Sequence, residues 1–488
     1  MNPTGDKVNA PSIKQNCQKL SLLLVPCIGG LYLPIGHASA QVIGADDSIN
    51  TTVDVVGDRI DITGGQVSSE GDNLFHSFEQ FDVEVEQTAN FITPTDLQNV
   101  IGKITSDQAS VIDGALQVSG SEANLYLMNP SGILMGPNAE LNLSGGFTAT
   151  TATDLGFEDG EFSIEDTSHT NALTGEVKTF HFSHSQPGAV VNLGDLAVEE
   201  GNAINLVGGT VVNAGSLSAP DGTVTLAAVE GENVVRIRQG EQLLSLEIEA
   251  QHSAIEEGTG ITAQNISAML TGGDAINGAT ALIQAADGTV RLVNSRESGE
   301  STPIAETGGH AIATGNISTA GETGGNINIL STQQVTLTGA HLDASGQYSG
   351  GLIRVGGDYQ GQGDVLNTVR TEVDATSLLS VNALESGDGG RAIAWSDHTT
   401  RFHGQIEGMG GLLGGNGGFA EVSGKKKLTF TGLANLGASY GSIGDLLLDP
   451  DNIFITDGGT SHSIGGDDYI PSTTLETQVA NINLSATN

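Results

Sequence analysis

Few residues of this chain have the type and spacing that chemistry requires. Gly437-Ala438-Ser439-Tyr440-Gly441 has the glycine–x–serine–x–glycine spacing of a hydrolase nucleophile elbow. That chemistry needs a strand-to-helix turn that exposes the serine, with an acid and then a histidine downstream. No helical period follows Gly441, and among 69 glycines the spacing is expected by chance. His181 with His184, and His398 with His403, are spaced closely enough to share a metal. Neither pair lies on a helical pattern, and no cysteine or matched carboxylate set accompanies them, so they read as polar surface histidines. Residues 414–419 come near a calcium-binding β-roll repeat but place Phe419 where the aspartate belongs. Asp364, Asp374 and Asp388 leave scattered calcium sites open without specifying a ligand set. Lys425-Lys426-Lys427 is the only basic run and reads as an offset to neighbouring carboxylates at a turn. A sugar-cleaving site needs acids and bases along one groove. The 17 lysines and arginines do not cluster with acids, so the expectation is no catalytic centre, no cofactor and no metal.

Charge and composition narrow the partners. The 488 residues carry a formal charge of −41, which repels phosphate backbones and anionic lipid and so excludes nucleic acid as a partner. Hydrophobic residues reach 38%, aromatics only 4%, and no stretch after the leader is long and apolar enough to span a membrane. Residues 1–40 read as a signal peptide. Lys7, Lys14 and Lys19 precede a broken apolar run, and Ala38-Ser39-Ala40 supplies the small residues for cleavage before Gln41. Both cysteines, Cys17 and Cys27, fall inside that leader. The rest of the chain has none, although an exported protein is free to use disulfides, and a large core needs no staples.

The elements that hold the rest are short strands. In residues 124–152, Leu125 and Leu127 alternate with Tyr126 and Met128, the period-2 pattern of a strand with one buried face. Asn129-Pro130-Ser131-Gly132 then supplies turn chemistry, Ile133 to Met135 a second apolar run, and Gly136-Pro137-Asn138 another turn. Leu141 and Leu143 alternate once more before Ser144-Gly145-Gly146. Strands of a few residues alternating with tight turns, and no helical period, describe a chain winding around the sides of a solenoid. We therefore expect an all-β, right-handed parallel β-helix with short extra-helical hairpins, the handedness following the general rule for parallel connections.

The same stretch carries a resemblance. Asn129-Pro130-Ser131-Gly132-Ile133, Gly136-Pro137-Asn138 and Gly145-Gly146-Phe147 resemble the ordered motifs of the N-terminal secretion domain of filamentous haemagglutinin-type exoproteins. Asn73-Leu74-Phe75-His76-Ser77-Phe78, Phe81, Gln98-Asn99-Val100-Ile101 and Ile112-Asp113-Gly114 match as well. The resemblance is close over residues 42–155. Ser131 stands where the family usually has asparagine, and Phe91-Ile92-Thr93-Pro94 stands near the place of a second Asn-Pro motif. The resemblance implies two-partner secretion in a Gram-negative bacterium. A periplasmic recognition domain of an outer-membrane β-barrel transporter takes up the chain, with Asn129, Pro130, Ser131, Gly132 and Ile133 as the recognition motif, and the protein folds outside.

On this reading residues 41–155 form the two-partner secretion domain, and residues 156–186 an acidic excursion or linker. Residues 187–488 continue as β-helical stalk, cut off in strand-like sequence as if from a longer protein. Ala219 to Leu226 recurs as Ala285 to Leu292, which reads as three solenoid turns. A Gly-Gly pair enters strands at 324–325, 350–351, 389–390 and 417–418, with Ile327, Ile329, Ile353, Val355, Ile393, Trp395 and Val422 expected inside and Asn328 and Arg354 outside. Residues 229–260 read as an inserted hairpin. The function expected is a secreted or surface-exposed adhesin with an unknown ligand on a host or neighbouring cell. Two alternatives are the stalk of a contact-dependent toxin and a β-helical polysaccharide-degrading enzyme.

Overall fold

The computed structural model describes residues 43–231, 233–238, 245–248, 281–284, 290–293, 308–363, 365–456 and 469–486. From residue 73 onward the chain winds as a three-sided parallel β-helix. One turn runs Asn99–Ile104, Ser110–Ile112, Ala115–Ser119; the next runs Asn124–Met128, Ile133–Met135, Glu140–Asn142. Each strand pairs in parallel with its counterpart a turn away, so Leu125 lies between Val100 and Phe147, and Leu134 between Val111 and Val191. We call the sides the first, second and third faces. The first face stacks from Asn73–Phe81 to Asn481–Leu484 without a break in the ladder.

Alternation decides what faces in. Leu125, Leu127, Phe147, Ala149, Ile204, Leu206, Val224, Leu226, Ile327, Ile329, Ile353 and Val355 follow one another in register, all at or near zero exposure, in a single core. Such a rung cannot bury its own face, so each turn is stable only on its neighbours. The front is closed by antiparallel pieces. Thr51–Val56 pairs with Arg59–Gly64, and Ile43–Ala45 and Gln66–Val67 pair with Asn73–Phe81.

Two expectations fail on register. Val290–Val293 pairs antiparallel with Ala281–Gln284, and the strand stacking on Thr223–Ala228 is Asn326–Ser331. Of the repeat of 219–226 at 285–292, residues 290–292 therefore lie in an antiparallel pair, not on a solenoid turn, and residues 285–289 lie outside the described residues. On Arg391–Ser396 it is Ala392 and Ala394 that continue the inward column from Ile353 and Val355. Ile393 and Trp395, expected inside, face outward, and they are buried there by other means. Asn328 and Arg354 face outward as expected but are covered, not wet, at 4% and 6% exposure.

The two extra-helical insertions form one structure. Residues 156–186 contribute to Asp154–Gly156, Glu161–Ser163 and Thr179–Phe182, and the later insertion contributes Asn233–Arg238 and Ser245–Ile248. Together they make a five-stranded antiparallel sheet. Its Leu155, Phe157, Phe162, Phe180 and Val235 pack on Phe75, Ile101, Met128, Val207 and Ala227, which point out of the first face. A second apolar core thus lies outside the helix.

Candidate functional site: the Asn129–Ile133 corner

The strand Asn124–Met128 ends where Asn129 leaves the first face. Asn129 is fully buried, and its side chain serves both sides of the corner. Its Oδ1 accepts from the Ser131 N–H at 2.9 Å, the local turn expected of an asparagine before proline. Its Nδ2 donates to the Gln108 carbonyl and the Ser110 hydroxyl, each at 3.0 Å, on the preceding turn. The Asn129 carbonyl accepts from the Gly132 N–H at 3.0 Å, and its own N–H donates to Thr150 on the following turn. Pro130 has no N–H to lose here, and its carbonyl accepts from Gly188. Ser131 Oγ donates back to the Ser106 carbonyl at 3.2 Å. Gly132 has φ +125°, a conformation that a side chain disfavours. Ile133 then enters the core at 1% exposure.

Three turns of chain therefore meet at five residues, which form a structural lock. Only Ser131 of the five keeps appreciable exposure. In the next corner Asn138 is exposed. Its N–H and Nδ2 both donate to the Asp113 carboxylate, at 2.9 and 3.2 Å, and there is no room for a side chain on Gly136, whose Cβ would overlap Asp113.

The opening of the strands holds a feature that sequence reading missed. Asn124 Nδ2 donates to Asn99 Oδ1 at 3.1 Å, and Asn99 Nδ2 to Asn73 Oδ1 at 2.8 Å. Asn73 Nδ2 closes the ladder on the carbonyls of Leu173 and Gly175 at 3.1 and 2.9 Å, and Gly146 donates to Asn124 Oδ1 at 2.8 Å. The signal was the asparagine opening each of Asn-Leu-Phe, Asn-Val-Ile and Asn-Leu-Tyr, which register turns into a stack. His76, in the same motif as Asn73, lies between Phe78 and Phe91 with no exposure, and burial pushes its imidazole down to about 4.

Lys103 is also buried. Its Nζ donates to the carbonyls of Ser163 and Ile164 at 2.6 and 3.2 Å and sits 5.3 Å from the Phe162 ring centre. Burial pushes it down to about 8, against the attraction of Asp46, Asp166 and Asp154. It ties the first face to the outer sheet.

The other candidates do not assemble. His181 lies 3.3 Å from Glu161, His398 bonds Thr399 and His403 bonds Thr431. Among the described residues no three metal-ligating side chains gather. Ser439 lies in an exposed loop that leads into the strand Asp445–Leu448. Lys426 meets Asp451 at 2.6 Å, the turn-side offset expected of the basic run. Ala38, Ala40 and Gln41 lie outside the described residues. Among the described residues no helix is long and apolar enough to cross a membrane.

Comparison with known proteins places this geometry. A family model described as the TPS secretion domain matches residues 40–292, more than half of the chain. The solved secretion domain of HMW1 from Haemophilus influenzae is 22% identical, over 82% of this chain and 98% of that one, with a TM-score of 0.43. The solved filamentous hemagglutinin secretion domain is 13% identical, over 84% and 100%, with a TM-score of 0.31. No curated protein matches. The family match covers the buried Asn129–Ile133 corner, the asparagine ladder and the outer sheet together, and the chain belongs to the family of two-partner secretion (TPS) exoproteins.

Proposed function

We propose that this exoprotein is an adhesin whose front turns, residues 41–155, carry the export signal and whose turns from residue 187 onward are the contact stalk. The leader is cut between Ala40 and Gln41. Asn129, Pro130, Ser131, Gly132 and Ile133 are read by periplasmic recognition domains of the outer-membrane transporter while the chain is extended, and they lock into the corner outside.

The observation that carries this reading is burial. Asn129 and Ile133 are closed to solvent in the folded turn, so a partner that reads their side chains must do so before the corner forms.

The test separates recognition from stability. Asn129→Ala loses three side-chain hydrogen bonds and leaves buried partners unmet, a cost of about 3 kcal/mol. Leu127→Ala, in the same turn, costs a similar amount by leaving a cavity. Asn138→Ala gives up only exposed contacts. Thermal midpoints and secreted yields of the three full-length variants are measured side by side. Export should fall furthest for Asn129→Ala, well below Leu127→Ala at equal loss of midpoint, and least for Asn138→Ala. Equal export of the first two variants sinks the recognition role.

A further inference from the structure

The outward residues of the first face change character between Leu352–Val355 and Asp445–Leu448. Arg354, Ile393, Trp395, Glu421 and Ser423 all point away from the core, yet none exceeds 6% exposure. The segment that leaves the helix after Val355 lies against Arg354, Trp395 and Glu421.

Gly356 and Gly357 start it, and residues 358–363 cross the face. A Cβ on Gly357 or Gly361 would lie 2.6 Å from the Trp395 ring, so only glycine allows this approach. Between them Gln360 takes a left-handed conformation, φ +54°. Its N–H donates to both carboxyl oxygens of Glu421, at 3.2 and 3.0 Å, and its Nε2 to Asp449 at 3.0 Å. The Arg391 guanidinium lies 5.6 and 5.3 Å from the ring centres of Tyr359 and Phe419. Asp358 pairs with Arg354 at 3.0 Å, and Trp395 Nε1 donates to Asp397 at 3.2 Å.

We propose that residues 356–363 are a strap latched by Glu421, closed in mildly acidic medium and released as the medium becomes alkaline. The groups facing Glu421 are Gln360 on the strap, Arg391 on the preceding strand, Asp449 just past the end of the following strand and Ser423 on its own. Burial pushes Glu421 up to about 7, helped by Asp449 and opposed by the Gln360 N–H, Ser423 and Arg391. With the strap open, the carboxyl is wet and returns towards its ordinary 4.5. The closed state therefore holds the extra proton between those two values. Closure is strongest below the lower value and weakens as pH rises through the higher, by up to a few hundred-fold. A backbone held left-handed at Gln360 adds strain that opening relieves.

The chain's single tryptophan, Trp395, reports the strap. Its emission and its quenching by acrylamide are followed on the full-length protein from about pH 5 to about pH 9. The expected result is a red shift and a several-fold rise in quenching with a midpoint near neutrality. Glu421→Gln should stay blue and protected throughout, and Asp449→Asn should move the midpoint to lower pH. An unchanged wild-type spectrum, or the same shift in Glu421→Gln, overturns the proposal. Should Glu421→Gln fail to fold by circular dichroism, Asp449→Asn decides alone, and an unmoved midpoint overturns it.

Discussion

Buried polar side chains, more than exposed ones, distinguish this chain at the residue scale. His76 shows what one of them does to stability. Its ring is neutral when folded, with burial holding it at about 4 against an ordinary 6.5. A base with a lowered folded value contributes stability that is present above the unfolded value and lost as pH falls towards the folded one. The loss amounts to about 3 kcal/mol when complete. His310, buried and pushed to about 4 by the same cause, adds a second share. We predict that His76→Leu flattens the fall of the melting temperature between the two values, at a neutral-pH cost of about 1 kcal/mol for the lost Thr51 contact at 3.3 Å. An unchanged acid slope in a thermal scan contradicts this. The role of Asn129 in its own turn was legible from the Asn-Pro pair. Its bonds to Gln108 and Ser110 were not, because they follow from register between turns, which no local pattern encodes. The burial of Glu421 was likewise unreadable. Phe-Ala-Glu-Val places it outward, and only the strap makes outward mean dry.

At the element scale, strands were legible wherever alternation and turn residues agreed. The Gly-Gly pairs at 324–325, 350–351, 389–390 and 417–418 each precede a first-face strand, as expected. Reading failed where two patterns compete. Ile393 and Trp395 are larger than Ala392 and Ala394, so hydrophobicity alone picks the wrong side; the narrow interior takes the alanines beside Ile353 and Val355. The pairing of the two insertions was invisible because it joins distant segments. Lys103 is the element-level link between them and the helix. Lys103→Met keeps the stem but leaves the carbonyls of Ser163 and Ile164 without their ammonium donor, which costs about 1–3 kcal/mol. The expected outcome is local. Amide exchange in Asp154–Gly156 and Glu161–Ser163 should quicken at least tenfold, while Asn124–Met128 stays protected. Uniform quickening in both would show that outer sheet and helix open as one unit.

At the scale of the whole molecule, the parallel β-helix followed from short alternating strands and glycine corners, but a constant period did not. Leu125 meets Phe147, Ala203 meets Thr223 and Arg391 meets Phe419, so turns differ in length at the corners while the strands hold register. Each turn touches only its neighbours, and stability is a sum of turn and interface terms. That predicts which deletions the fold survives. Removing residues 326–351 takes out one turn, with its strands Asn326–Ser331, Gln334–Leu337 and His341–Asp343. Ile353 and Val355 then come to the positions over Val224 and Leu226 that Ile327 and Ile329 held. On the second face Val373 comes to lie over Ala313 in place of Leu337, and on the third Leu379 over Ile317 in place of Leu342. The inward column keeps its phase and its aliphatic character. Removing only residues 326–337 deletes two sides, so the remaining third-face strand arrives a side out of step and every later strand with it. A one-side slip sets apolar positions towards solvent, and the ladder has no alternative register to fall into. Circular dichroism and thermal melts of the two deletions decide the matter. The full-turn deletion should keep its β signal and melt cooperatively at a slightly lower temperature. The partial deletion should lose cooperative melting, and equal damage from both would mean that the turns are not independent units.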